Sequence, residues 1–221
     1  MNEQSAFIRQ GSVSATAFGL MSKFKILIDN GHGVDTPGKR SPDGRLREYA
    51  YTREAAGRIV DELKSYGFDA ELLVPEEKDV SLKERVARVN RYCALYGRGN
   101  VILISVHVNA AGDGSRWMNG RGWSAFTTPS RTKSDDLADD LYWAARQVFG
   151  APLTIRADYS DGDPDWEANF YLLKHTQCCA VLTENFFQDN KEDVEYLLSK
   201  KGMEDIVTVH VSGIVAYLQT R

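Results

Sequence analysis

The sequence predicts an α/β protein: one sheet of mainly parallel strands with helices on both faces. Three observations carry this. Short β-branched apolar runs alternate along the chain with segments whose apolar residues recur at helical spacing. The first half reads strand–helix–strand–helix–strand, the order that parallel strands joined by crossover helices produce. No internal repeat and no low-complexity linker divides the 221 residues, so one domain is expected.

The elements follow in order. Residues 24–29 form an apolar strand, and a loop rich in Gly, Pro and Asp occupies 31–45. A helix opens near Glu48 and keeps Ala56, Ile59, Val60, Leu63 and Tyr66 on one face; Gly67 ends it, as a glycine just past a helix does. Residues 68–74 read as the second strand. Ser81 is a helix N-cap with Glu84 at capping-box spacing, and Leu82, Val86, Val89, Cys93 and Tyr96 make the inward stripe up to Gly97. A strand at 101–106 follows, then a polar, glycine-rich loop at 112–122 that carries Trp117. Residues 123–128 read as a strand bounded by Pro129. A helix from about 132 to 149 carries Leu137, Leu141, Ala145 and Val148. The segment 156–168 is turn-rich, and 170–173 and 180–183 read as short strands. A final helix over about 204–218 turns Ile206, Val209, Gly213, Ile214 and Tyr217 inward.

Composition narrows the class. Hydrophobic residues are 43% and charged residues 26%, ordinary for a globular chain with a full core. A net charge of -4 argues against a nucleic-acid partner, which requires a basic face. No apolar stretch approaches the ~18 residues of a membrane helix. Cys93, Cys178 and Cys179 are odd in number, and the adjacent pair cannot staple distant segments, so reduced, buried thiols are expected. Residues 1–20 are mixed and polar, with almost no basic start and an apolar patch too short for a signal-peptide core. They are expected to lie outside the fold, which begins at Met21.

Four histidines are present, and two occupy equivalent places. His32 follows the first apolar run within Asp29-Asn30-Gly31-His32-Gly33, and His107 follows the run at 101–106. Open α/β sheets hold ligands at the carboxyl ends of their strands, and imidazole is the commonest zinc ligand. Glu48 is the best third ligand, because it opens the helix that follows the His32 loop. Glu184 lies at the end of Val181-Leu182-Thr183, on the same sheet edge, where a carboxylate can take a proton from a metal-activated water. Taken singly, each residue has a plain reading: a loop or core histidine, a first-turn acid favoured by the helix dipole, a surface carboxylate. Their coincidence in matching contexts favours one metal site.

In these residues the chain resembles the zinc-dependent N-acetylmuramoyl-L-alanine amidases, the Amidase_3 family. The resemblance rests on Ile28-Asp29-Asn30-Gly31-His32-Gly33, on Glu48, on Ser105-Val106-His107-Val108-Asn109 and on Leu182-Thr183-Glu184-Asn185-Phe186-Phe187. Ser81-Leu82-Lys83-Glu84-Arg85 with Asn90 is similar to the family's Leu-x-x-Arg helix, and Asp189-Asn190 to its C-terminal end. The likeness covers about residues 24–220. It implies a single mixed, mostly parallel sheet of about six strands, one Zn2+ on His32, Glu48 and His107, and Glu184 as general base. It also implies cleavage of the amide between N-acetylmuramic acid and L-alanine in peptidoglycan. Asn30, Val34 and Asn185 depart from the family's usual residues, and none of these departures removes a ligand or the base.

Competing readings are a zinc peptidase or amidase acting on another peptide, a non-catalytic wall-binding module, and a structural protein with incidental histidines. Substrate contacts are expected from Asn109, Arg45, Trp117 and Trp166. Lys39, Arg40 and Arg47 lie near the site as well, either to pair with substrate carboxylates or as a solvated loop. His175 and His210 are expected to be structural. Asp161, Asp163 and Asp165 alternate like the start of an EF-hand, but Trp166 stands at its glycine and Leu172 at its glutamate, so a solvated turn or a substrate rim is expected instead. A monomer is expected. With no clear secretion signal, the chain is expected to stay cytoplasmic until release, as a phage or prophage lysin does, or to leave by another export route.

Overall fold

Successive side chains of the central strands enter two unlike cores, one on each face of a single sheet. The computed structural model describes residues 23–221, so the expected extension at 1–20 lies outside the described residues. Strands β1 (Lys25–Asn30), β2 (Asp69–Leu72), β3 (Val101–Asn109), β4 (Ser124–Thr127), β5 (Trp166–Glu167) and β6 (Cys179–Phe187) form a six-stranded sheet in the order β2-β1-β3-β6-β4-β5. The pairs β1–β2, β1–β3 and β3–β6 are parallel, and β4 meets β6 antiparallel. This is the expected mixed, mostly parallel sheet.

Ile26, Ile28, Ile102, Ile104, Val106 and Val181 enter the larger core with helices α1 (Glu48–Ser65), α3 (Lys133–Val148) and α6 (Lys200–Gln219). The intervening Leu27, Leu103, Ala180 and Leu182 enter a smaller core under α2 (Leu82–Tyr96) and the single-turn α4 (Tyr171–His175). Side chains in a strand repeat every two residues. Asp29, Ser105, His107 and Glu184 therefore continue this second face, past the point where the small core stops. The thin helical cover on that side leaves the carboxyl ends of β1, β3 and β6 open.

Local signals behave as read. The Ser81 side chain accepts the Glu84 amide at 3.3 Å, and Gly67 takes the left-handed conformation (φ 88°) after α1. Several expectations are corrected. Residues 170–173 are not a strand: Tyr171–His175 is a helical turn that buries Leu172 and Leu173 together, which a strand's alternation would not do. Leu82 is not inward; it is 51% exposed, because α2 turns its first residue over the open strand ends. Tyr96, at the other end of α2, is exposed as well. The turn-rich segment contains β5, and a short helix α5 (Lys191–Leu197) precedes α6, which itself starts earlier than expected. His107 and Glu184 lie within strands rather than beyond them. Cys178 and Cys179 are only half-buried, because they enter β6 from the surface; all three cysteines are free. Among the described residues no helix is long and apolar enough to cross a membrane.

His210 is structural, as expected. It is fully buried on α6, with Nδ1 2.7 Å from the Ile206 carbonyl and Nε2 2.9 Å from the Thr183 hydroxyl. A carbonyl only accepts, so Nδ1 donates and Nε2 accepts from Thr183. Burial pushes this imidazole down to about 4. The unfolded chain therefore binds a proton near pH 6.5 that the folded chain refuses until about 4. Stability is complete above pH 6.5 and falls as the pH drops toward 4, by roughly 3 kcal/mol from this residue. Urea unfolding at stepped pH should show that slope, and His210→Gln should flatten it.

Candidate active site

The turn after β1 is held in an unusual conformation. His32 has a left-handed backbone, φ 62°, which is uncommon for a residue with a side chain. Helix α1 fixes it there: Arg53 Nη1 donates to the His32 carbonyl at 2.8 Å, and the Thr52 hydroxyl donates to the Gly31 carbonyl at 3.1 Å. Gly31 must lack a side chain, since a Cβ would sit 2.5 Å from His107 Nδ1. Beneath the turn lies a buried network. Arg85 Nη1 donates to Asp29 Oδ1 at 2.7 Å and to the Asn30 carbonyl at 2.6 Å, and the Ser105 hydroxyl donates to Asp29 Oδ2 at 2.6 Å. The Leu-x-x-Arg arginine thus ties α2 to β1, and Asp29 ties β1 to β3.

Three groups converge above this network. One ligand atom each from His32, Glu48 and His107 lies within 4.8 Å of the others. His107 Nδ1 is 3.1 Å and His32 Nε2 3.4 Å from the same oxygen, Glu48 Oε1. The two rings meet edge to face, with centroids 5.1 Å apart. Glu48 is 1% exposed and is oriented by the Val108 amide at 3.0 Å and by Gln188 Nε2 at 3.3 Å. Burial pushes its carboxyl up, yet the hydrogen bonds with His107 and His32 hold it well below the usual carboxylate range. Two imidazoles aimed at one buried carboxylate oxygen is an arrangement that a metal ion satisfies.

Glu184 is His107's cross-strand partner on the same face. Its Oε2 is buried and accepts no hydrogen bond. Burial pushes this carboxyl up to about 7; His107, Lys39 and Arg156 pull it down and the Glu48 charge pushes it up. His32, His107 and Glu184 line a cavity of about 350 Å³, with Lys39, Leu82, Phe170 and Tyr171 around it. All four groups singled out in the sequence are therefore brought together.

A family comparison decides the assignment. Residues 26–216 match the family model described as N-acetylmuramoyl-L-alanine amidase. The chain belongs to this family. It is 29% identical over 192 residues to the N-acetylmuramoyl-L-alanine amidase CwlM of Bacillus licheniformis, a match covering 86% of this chain and 67% of that one. It is 25% identical over 206 residues to the endolysin of Bacillus phage SPP1, covering 91% and 68%. The chain thus spans about two thirds of the length of these relatives. Its fold is that of the N-acetylmuramoyl-L-alanine amidase of Clostridium difficile 630, with TM-score 0.74, 22% identity and 90% and 98% of the two chains covered.

The four residues expected to touch substrate do not line this amidase's cavity. Arg45 is held by Asp43 at 2.7 Å and Glu195 at 2.5 Å. Asn109 Oδ1 accepts the Ala110 amide at the end of β3. Trp117 is 36% exposed on its loop, whereas Trp123 is buried and donates to Asn185 Oδ1 at 2.9 Å. Trp166 packs on Phe126 and under the Arg156 guanidinium, 4.8 Å from its ring. Sequence reasoning missed Leu82, Phe170 and Tyr171, the exposed apolar wall of the cavity. It also missed Asn185, whose amide donates to the His107 carbonyl at 2.9 Å, and Gln188 behind Glu48.

Proposed function

We propose that this amidase cleaves the amide joining the lactyl group of N-acetylmuramic acid to L-alanine in peptidoglycan, using one zinc ion held by His32, Glu48 and His107. The convergence of two imidazole nitrogens and one buried carboxylate oxygen beside the unpartnered Glu184 Oε2 carries this reading. The donor set is that of a catalytic zinc site, three protein ligands with a further position open. A zinc ion held by these residues would supply Lewis acidity, polarising the scissile carbonyl and making a water acidic enough to ionise near neutrality.

The chain supplies the rest. Glu184 Oε2 takes a proton from the attacking water as its oxygen adds to the carbonyl carbon. The C–N bond then breaks as that proton passes to the leaving nitrogen of L-alanine, leaving a free amino terminus and a lactyl carboxyl group whose remaining proton is lost to the amine or solvent. A buried carboxyl beside the metal ligands suits both transfers, since it can take a proton from water and return it to the leaving nitrogen. Leu82, Phe170 and Tyr171 shield one side of the cavity, where the substrate's apolar groups can seat. Every group in this scheme comes from one chain, so a monomer suffices.

The test is mass spectrometry of digested peptidoglycan. The zinc-loaded protein should release free L-alanine amino termini without new reducing sugars, a chelator should abolish this, and added zinc should restore it. New reducing ends, or cleavage within the peptide, would reject the assignment.

A further inference from the structure

Three aspartates meet at a place the amidase reaction does not use. Asp163 and Asp165 come from the turn that leads into β5, and Asp135 from the first turn of α3. Asp161 is exposed as the turn's sequence suggests, but Asp163, Asp165 and Asp135 are not: they are 5%, 2% and 0% exposed. One carboxylate oxygen from each lies within 4.8 Å of the others.

The hydrogen bonds leave this cluster incomplete. Asp135 Oδ2 is used by the Thr132 amide and hydroxyl, Asp163 Oδ2 by Arg131 Nη1 at 2.5 Å, and Asp165 Oδ2 by the Thr127 hydroxyl at 2.6 Å. Thr127 has one hydroxyl hydrogen and spends it on Asp165, so Asp135 Oδ1, 3.3 Å from the same hydroxyl, receives no donor from it. Asp163 Oδ1 and Asp165 Oδ1 are buried and accept nothing. Among the described residues Arg131 is the one cation in ion-pair contact with the three, and it is shared with Asp136 and Asp139. Buried carboxylate oxygens without donors are costly unless a cation or a shared proton meets them.

We propose that Asp135, Asp163 and Asp165 form a second cation site, for a hard divalent ion of the calcium or magnesium class. The donors are oxygens alone, with no imidazole or thiolate, which selects such an ion over zinc. Oxygens bound to one calcium at about 2.3–2.6 Å lie no more than about 5 Å apart, the spacing found here. The arrangement is not an EF-hand, because the third carboxylate comes from a helix some thirty residues earlier in the chain rather than from the same loop. An ion there ties the turn to β4 and α3, and so fixes Trp166 and the Arg156 guanidinium stacked on it beside β6.

The zinc-saturated protein should be titrated with Ca2+ and with Mg2+ by calorimetry, and with Tb3+ read by tryptophan-sensitised emission. The expected result is one further ion per chain, Tb3+ emission competed away by Ca2+ or Mg2+, and a melting temperature that rises with the bound ion. Asp163→Asn and Asp165→Asn should each weaken binding by more than about 10-fold. The wild-type titration decides even if a variant misfolds: no saturable second ion at millimolar Ca2+ or Mg2+ overturns the site. Binding indifferent to both Asn changes overturns it too. So does a wild-type protein whose melting temperature Ca2+ and Mg2+ leave unmoved while Asp165→Asn is more stable, the result expected if Asp163 and Asp165 share a proton instead.

Discussion

Glu184→Gln should lower kcat on peptidoglycan by about 10²- to 10⁴-fold while the protein keeps one zinc per chain. The amide has nearly the shape of the carboxyl and fills the same place between β3 and β4, so packing is retained. It cannot accept a proton from water, and that is the step lost. Glu184 is not among the three groups whose atoms converge, so metal content should not change. Turbidity clearing of purified walls gives the rate, and elemental analysis gives the zinc. A rate within about threefold of wild type would remove Glu184 from the mechanism.

His32→Ala, His107→Ala and Glu48→Gln should each reduce bound zinc well below one per chain. Activity should fall by roughly a thousand-fold or more, because several kcal/mol of transition-state charge stabilisation depend on the ion and each tenfold in rate is about 1.4 kcal/mol. The three changes differ in their effect on the fold. Glu48 is buried with two neighbours donating to it, and glutamine retains its volume there. His32 and His107 are partly exposed at the cavity, so their truncation leaves room for water rather than a void. Circular dichroism should report folded protein for all three. Unchanged zinc stoichiometry in any one of them would take that residue out of the ligand set.

The site was largely legible because its residues sit at positions that local pattern marks. His32, His107 and Glu184 each stand near the end of a run of β-branched residues, and Glu48 opens a helix with a clear apolar face. Parallel strands align their carboxyl ends, so pattern along the chain becomes proximity in space. The residues expected to touch substrate were chosen by type and nearness in sequence, and neither determines orientation. Arg45 lies three residues from Glu48 and is nevertheless turned to Asp43 and Glu195. Leu82 reads as the first residue of an inward stripe, yet it lies in the first turn, where the core beneath α2 has ended.

From its sequence alone this protein has an α/β sheet, an amidase family and four candidate reacting groups, because periodicity and short motifs are local properties of the chain. Only the tertiary structure decided what surrounds those groups. Gln188 reaches Glu48 across 140 residues and Asn185 reaches the His107 carbonyl across 78, contacts that no local period encodes. Tyr171–His175 became a helix because burying two successive leucines against α2 outweighs its strand-like composition. Asp163 and Asp165, read as a solvated turn, are buried because β5 pairs with β4 and carries them against α3. In each case the deciding free energy comes from packing between distant segments, which exists only once the chain has folded.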